Sequence, residues 1–253
     1  MRLLLTIGLC TIALLSTACD TAPAPDSSPG LLVEAYLYWP SEVHAVVVGR
    51  PVPLGGTPDA RPANDARVWL GVEQEALAPM TAEGGNDGRY IVDANRVPLE
   101  AGAEYALVVE HDGQRLTAFT RVPPPPSGVR MEPDARSEPL DVDRSDEDAE
   151  DLIFMTWTLP DGELTPHLIQ VDHPEFGRTF ASPIHWDGEG TVEREAFPEA
   201  GTYRLCLYRT TDDLVTFEQN PQARRLYVVP SNVEGGFGVF AALHGTCWPI
   251  TVR

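Results

Sequence analysis

Lysine is missing from this chain; all 18 basic residues are arginine. That absence removes the chemistries that need a primary amine. A P-loop requires its lysine on the β- and γ-phosphates, and pyridoxal phosphate and other Schiff-base enzymes require a lysine nucleophile. Positive charge is scarce altogether. Asp and Glu number 38, for a net charge of −20, which argues against a nucleic-acid partner, because affinity there comes mainly from neutralising phosphates. A lysine-free, acid-rich surface suits a salty habitat, where charge keeps molecules soluble and apart; a GC-rich genome would give the same bias. There is no Gly-x-Ser-x-Gly nucleophile elbow and no His-Glu-x-x-His zinc helix. Long apolar runs are also scarce, with a single one at the very start.

That run identifies a compartment. Met1 and Arg2 precede an uncharged stretch from Leu3 to Ala18, shorter than the ~20 apolar residues of a membrane span. A charged start, apolar middle and small-residue end are the parts of a secretory signal. The sequence Leu14-Leu15-Ser16-Thr17-Ala18-Cys19 resembles a bacterial lipobox, with its leucine one position farther from the cysteine than usual. Residues 1–18 are therefore expected to be a signal peptide and Cys19 a lipidated residue; an ordinary signal with an incidental cysteine is the plainer alternative. Residues 19–30, rich in Pro, Ala, Ser and Asp, read as a flexible tether with nothing to bury. Removing residues 1–18 leaves 38 acids against 17 arginines, a net of −21. The expected protein is anchored to a membrane, in the cell envelope, rather than threaded through it.

The remainder predicts an all-β protein. Proline (24) and glycine (21) are frequent, and short apolar runs broken by turn residues recur at the spacing of a β-sandwich. A first, immunoglobulin-like or transthyretin-like module is expected over 31–123. Its strands include Leu31–Trp39, Val43–Val48, Ala66–Val72 and Arg89–Val92. Asp112-Gly113 joins Tyr105–His111 to Gln114–Val122, a dipeptide suited to the positive φ angles of a type I′ turn. Residues 124–151 are expected to be a linker, stiff at Pro124–Pro126 and then strongly acidic. Asp141, Asp143 and Ser145 alternate like the opening of a calcium loop. Asp146 stands where such a loop needs glycine and Leu152 where it needs glutamate, so a solvated acidic segment is the better reading.

A second, fibronectin type III-like sandwich is expected over 152–253, by fold-level analogy. Its strands are Leu152–Leu159, His167–Val171, Thr179–Trp186, Gly190–Glu195, Gly201–Tyr208 and Arg225–Val229. Asp212–Gln219 reads as a short helical turn capped by an Asp and ended by Asn220-Pro221. Cys10 leaves with the signal and Cys19 carries lipid, which leaves Cys206 and Cys247. In an oxidising compartment that pair predicts a disulfide, contributing roughly 3–4 kcal/mol on the chain-entropy model. The best metal-ligand set is His167, Asp172, His173, His185 and Asp187. Neighbours such as Asp172 and His173 point to opposite faces of a strand, so all five cannot converge. No metal and no cofactor is expected. Gly235-Gly236-Phe237-Gly238 has neither a following helix nor a lysine, and reads as a bulged or closely packed strand rather than a phosphate cradle.

The segments "LLVEAYLY", "GAEYALVVEHDG" and "SNVEGGFGVFAA", behind the lipobox, resemble an uncharacterised lipoprotein family of Bacteroidota-type bacteria, domain of unknown function 4249. The resemblance covers roughly Leu31 to Ala242, with Asn232, Gly235, Gly236, Gly238 and Phe240 as its most specific part. It supplies no catalytic residues. It implies an outer-membrane lipoprotein beside TonB-dependent uptake receptors, with an envelope protein as partner. The functional expectation is a non-catalytic binding or accessory component, with exposed aromatics such as Trp39, Trp69 or Trp186 as anchors. The competing readings are a hydrolase of extracellular polymer, using metal or carboxylates in the second module, and a structural envelope spacer.

Overall fold

The computed structural model describes residues 30–50, 61–72, 76–132, 140–142, 151–160, 163–175, 177–219 and 232–253. The signal peptide, Cys19, nearly all of the tether, most of the acidic stretch and the expected strand Arg225–Val229 lie outside them.

The strands are, in order, β1 (Leu31–Trp39), β2 (Val43–Arg50), β3 (Arg61–Pro62), β4 (Arg67–Val72), β5 (Ala76–Pro79), β6 (Thr81–Ala82) and β7 (Arg89–Asp93). They continue with β8 (Glu104–His111), β9 (Gln114–Arg121), β10 (Ser127–Glu132), β11 (Leu140–Val142) and β12 (Asp151–Thr158). The last are β13 (His167–His173), β14 (Gly177–Ala181), β15 (Glu189–Glu193), β16 (Gly201–Thr210), β17 (Val233–Glu234) and β18 (Gly236–Val252). One α-helix, α1 (Asp212–Glu218), follows β16. The all-β expectation holds, and period-two patterning produces it. In β1, Leu31, Val33, Ala35 and Leu37 are fully buried while Glu34, Tyr36 and Tyr38 on the other face are half-buried, as alternation across a pleat requires.

A ten-stranded sheet runs through the whole molecule in the order β14-β13-β16-β18-β1-β2-β7-β6, with β11 also on β18 and β3 on β2. At one end it packs on a five-stranded sheet, β17-β9-β8-β4-β5, around Leu37, Val48, Leu70, Leu107, Leu116 and Phe240. At the other it packs on a three-stranded sheet, β10-β12-β15, around Ile153, Met155, Val171, Phe197, Leu205 and Ile250. Two sandwiches therefore share one sheet. The two-sandwich expectation holds in kind, but the chain does not divide at the expected borders of 31–123 and 152–253. The 17-residue β18 pairs in parallel with β1 through its first half and antiparallel with β16 through its second. Its Phe240 and Ala242 complete the first core, and its Ile250 and Val252 complete the second. The stretch expected as a linker over 124–151 also contributes β10, β11 and the first residue of β12 to the sheets.

The glycines at the start of β18 explain how one strand serves both sheets. β17 belongs to the five-stranded sheet and β18 to the ten-stranded one, so the chain crosses between layers at Gly235. Gly235 has φ +77° and Gly238 φ +117°, both in the region that favours glycine. A Cβ on Gly238 would lie 1.8 Å from the Val33 carbonyl oxygen. Asn232 fixes the corner: its Nδ2 donates to the Phe119 carbonyl at 2.8 Å and its Oδ1 accepts from the Phe240 N–H at 3.1 Å.

Candidate functional site

Where β1 ends at Trp39, β18 continues beside β16 without it, and the two halves leave a cleft of about 1090 Å³. Its walls come from the β1–β2 turn (Pro40, Ser41, Glu42), from β7 (Arg89), from β13 and the turn after it (Gln170, Asp172, Pro174), and from β16 and β18 (Arg204, Tyr208, Cys247, Pro249). Ligand sites form preferentially at such junctions between modules. A second cavity of about 600 Å³ lies across Tyr38, which lines both, toward Glu34, Tyr36, Arg178 and α1.

The strand registers dictate what faces the cleft. Asp172 stands opposite Arg204, Gln170 opposite Cys206, and Cys206 opposite Cys247, and directly opposed residues share a face. Cys206 and Cys247 form the expected disulfide, which ties β16 to β18. Their Cα atoms are 4.1 Å apart, the narrow spacing of a non-hydrogen-bonded antiparallel pair. Tyr208 lies beside the bridge, its hydroxyl 3.8 Å from Cys247 Sγ, and packs edge-on to Tyr38 with ring centroids 5.4 Å apart.

A polar ladder crosses this face. Gln170 Nε2 donates to Asp172 Oδ1 at 2.7 Å, and Arg204 Nη2 donates to Asp172 Oδ2 at 2.8 Å. The Gln170 amide orientation follows from its partner, since only its NH2 can donate to a carboxylate. Its side-chain oxygen is left buried with no hydrogen-bond partner. The Arg204 side chain keeps 56% of its surface exposed while Asp172 keeps 15%, so the guanidinium reaches solvent over a carboxylate held from below. The hydrogen bonds that Arg204 donates to Asp172 raise the guanidinium above its ordinary pKa. Burial pushes the Tyr208 phenol up to about 12, against the lowering effect of Arg204. Burial raises Tyr38 too, opposed by Arg178 and assisted by Asp172 and Glu218. Both hydroxyls stay neutral at neutral pH and can donate as well as accept.

The five residues of the expected metal set separate. His167 and His185 pair across an isolated bridge, and both rings pack near Trp157, at centroid distances of 5.0 and 6.0 Å. His167 Nδ1 lies 2.8 Å from the Thr165 carbonyl, and burial drives the ring down to about 4. Asp172 goes to Arg204, and His173 lies 3.9 Å from Glu199 and edge-on to Tyr203. The pattern assembled the two histidines and not the set. One carboxylate–histidine group that the sequence did not single out, Asp65, His111 and Asp112, does converge within 4.8 Å at the β8–β9 hairpin. Arg50 engages two of the three, donating to His111 Nε2 from Nε at 3.2 Å and pairing with Asp112, while Asp65 lies 3.3 Å from His111 Nδ1.

The motif residues Asn232, Gly235, Gly236, Gly238 and Phe240 all lie at the sheet crossover, Phe240 fully buried, so their part is architectural. Of the expected aromatic anchors, Trp39 is 42% exposed and Trp69 and Trp186 are half-buried. Trp39 stacks at 4.7 Å against His244. None of the three lines the cleft, whose aromatic lining includes Tyr38, Tyr203, Tyr208 and Trp248. No short sequence motif marks it, because the strand ends that form it are far apart in the chain. Among the described residues, no helix is long and apolar enough to cross a membrane.

No family model matches the chain, and no curated protein matches it. Two solved structures show what it is similar to. One is a chain of a cytokine receptor complex, at 12% identity over 87% of this chain and 95% of that one, with a TM-score of 0.27. Another is a two-domain fibronectin type III segment from chicken tenascin, at 12% identity over 87% and 97%, with a TM-score of 0.23. At these TM-scores the likeness carries no argument about fold or activity; the sandwich class is read from the sheets themselves.

Proposed function

We propose that this chain is a non-catalytic, lipid-anchored lipoprotein of the outer membrane that holds a ligand or partner in the junction cleft, beside a TonB-dependent uptake receptor. The observation that carries the binding reading is the cleft itself. It sits between two modules and contains a half-buried aromatic, and three of its charged groups, Asp172, Arg204 and Arg89, are already paired. A group meant for acid–base or nucleophilic work needs a partner that activates it; here Asp172 is neutralised by Arg204, and Arg89 by Glu83 at 2.5 Å. The anchor rests on Cys19 behind its lipobox-like sequence. The receptor neighbourhood rests on the resemblance to domain of unknown function 4249.

The hydrolase alternative has less support. Its histidines and acids are dispersed, and in the acid–histidine group that converges among the described residues Arg50 engages His111 and Asp112. The spacer alternative leaves the cleft without a role. The test is cross-linking in intact cells, followed by recovery of the full chain from detergent-solubilised membranes. A receptor-type outer-membrane protein should co-purify with the wild-type chain and be depleted for Arg204→Glu. Recovery of nothing above background, or turnover of any polymer by the purified chain, would count against the reading.

A further inference from the structure

We propose that the junction cleft binds a neutral glycan chain, a polyhydroxylated polymer without charged substituents; this rests on the binding reading above and names the ligand. Three features of the cleft converge on that chemistry.

The first is charge. On a chain of net charge −20 an anionic polymer is repelled at long range. The cleft does not offset this, because its two arginines are committed: Arg204 to Asp172 and Arg89 to Glu83. A cationic polymer finds little more, since Asp172 is held by Arg204 and Gln170 and only 15% exposed, leaving Glu42 at the rim. An uncharged polar ligand meets neither obstacle.

The second feature is the ladder Gln170–Asp172–Arg204. Asp172 Oδ1 accepts one bond from the protein, from Gln170 at 2.7 Å, and retains a lone pair, while Oδ2 accepts two from Arg204, at 2.8 and 3.3 Å. Arg204 presents its remaining N–H groups to the cleft from a side chain 56% exposed. A vicinal diol fits this pair of planar groups, one hydroxyl donating to the carboxylate and its neighbour accepting from the guanidinium. Both groups are fixed by existing hydrogen bonds, so little freedom is lost on binding.

The third is the aromatic surface. Tyr38 is half-buried and braced edge-on by Tyr208 at 5.4 Å, which leaves part of a rigid ring for the C–H face of a sugar. Its phenol remains neutral, since burial raises its pKa, and can bond a further hydroxyl. Apolar platforms with a few oriented polar groups are how small-molecule sites gain both affinity and direction. The second cavity, reached across Tyr38, gives a polymer room to continue beyond the cleft.

The experiment is affinity electrophoresis of the full chain in detergent through native gels carrying soluble dextran, xylan or galactomannan. Alginate serves as the anionic control and poly-L-proline as the peptide control. At least one neutral polymer should retard the chain. Tyr38→Ala and Arg204→Gln should each weaken that retardation about tenfold, the loss of one or two good contacts, and Tyr38→Phe should retain most of it. Thermal midpoints within a few degrees of the parent show that the variants fold, and Arg204, being exposed, serves if Tyr38→Ala does not. Absence of retardation by every neutral polymer overturns the proposal, as does binding to alginate or poly-L-proline alone, or retardation unchanged in both variants. Recovery of a receptor partner in the membrane pull-down alongside such a failure would sink the glycan and leave the binding reading standing.

Discussion

The two sandwiches share a sheet and differ in what they bury. The first core surrounds Tyr90, Tyr105 and Phe240 with a large set of aliphatics such as Leu37, Val48, Leu70, Leu107 and Leu116. The second sets Trp157, Phe197 and Tyr203 among fewer aliphatics, and each half buries histidines, His44 and His111 in the first, His167 and His173 in the second. Buried side-chain atoms without a partner follow the same division. Trp157, Thr165, Gln170, His185, Thr210 and Thr211 carry them in the second half, against His44 and Thr120 in the first. An unpaired buried polar group costs about 1–3 kcal/mol, so the second half tolerates stress that the first avoids. Such stress concentrates near sites of function, and the polar wall of the cleft is drawn from this half.

The sharpest way to break the comparison is to attack the strand that both halves use. Gly238→Val places a β-branched side chain at φ +117° against the Val33 carbonyl. Backbone strain and the displaced β1 pairing together should cost about 4 kcal/mol or more. Denaturant unfolding followed by hydrogen exchange should show both halves weakened. A loss confined to the first half would mean that the sandwiches are energetically independent. The next largest effect separates them. Reducing Cys206–Cys247, 41 residues apart, should remove roughly 3 kcal/mol on the loop-entropy account. Exchange should rise in β16 and the second half of β18 before it rises in β8 or β9.

These two predictions show what was legible in the sequence. The disulfide was readable from compartment and cysteine count, and the β8–β9 turn from Asp112-Gly113, which takes φ +48° and +76°. Strand positions followed from alternation, a local signal. The module border was not readable, because parallel pairing of β1 with β18 joins residues some two hundred positions apart and leaves no local trace. Pro123–Pro126 looks like a spacer for the same reason: nothing in its neighbourhood announces that the chain will return. The cleft inherits this illegibility, since Tyr38, Asp172, Arg204 and Cys247 become neighbours only through the shared sheet. The crossover glycines stood out in the sequence, and their conformations give them an architectural purpose.

Protonation is a finer probe of the same contrast. His167 titrates near 4 in the folded chain because burial disfavours its cation, with Arg209 and His185 adding to the effect. Burial lowers His185 as well. A histidine with a folded pKa below its unfolded value of ~6.5 contributes stability that is complete above pH 6.5 and is lost as pH falls toward 4. The second half should therefore lose about 2 kcal/mol between pH 6.5 and 4, with partial hydration of the ring allowed for. His44 is lowered in the first half by burial alone, so that half should respond in the same direction but less. Exchange rates measured across this window check the ordering, and His167→Gln should flatten the profile of the second half. An equal response in both halves, or a variant as acid-sensitive as the parent, would contradict the assignment.

The smallest expected effect concerns α1, which lies over the outer face of the shared sheet. The sequence suggested an Asp cap, but Thr211 occupies that position and makes no side-chain capping bond. Capping residues that do bond are worth about 1 kcal/mol; Thr211 makes no such bond and its hydroxyl is buried without a partner, so Thr211→Ala should not destabilise and should stabilise by at most about 1 kcal/mol. What holds the helix is burial of Leu214 and Phe217 against Leu168, Val239, Ala241 and Leu243. Asp213 adds a polar tie, its carboxyl raised by burial and by Asp212, and lowered by a hydrogen bond with Asn232 at the crossover. The helix therefore belongs to the seam rather than to either sandwich. A Thr211→Ala loss of 1 kcal/mol or more in thermal unfolding would show that capping, and not this packing, places it there.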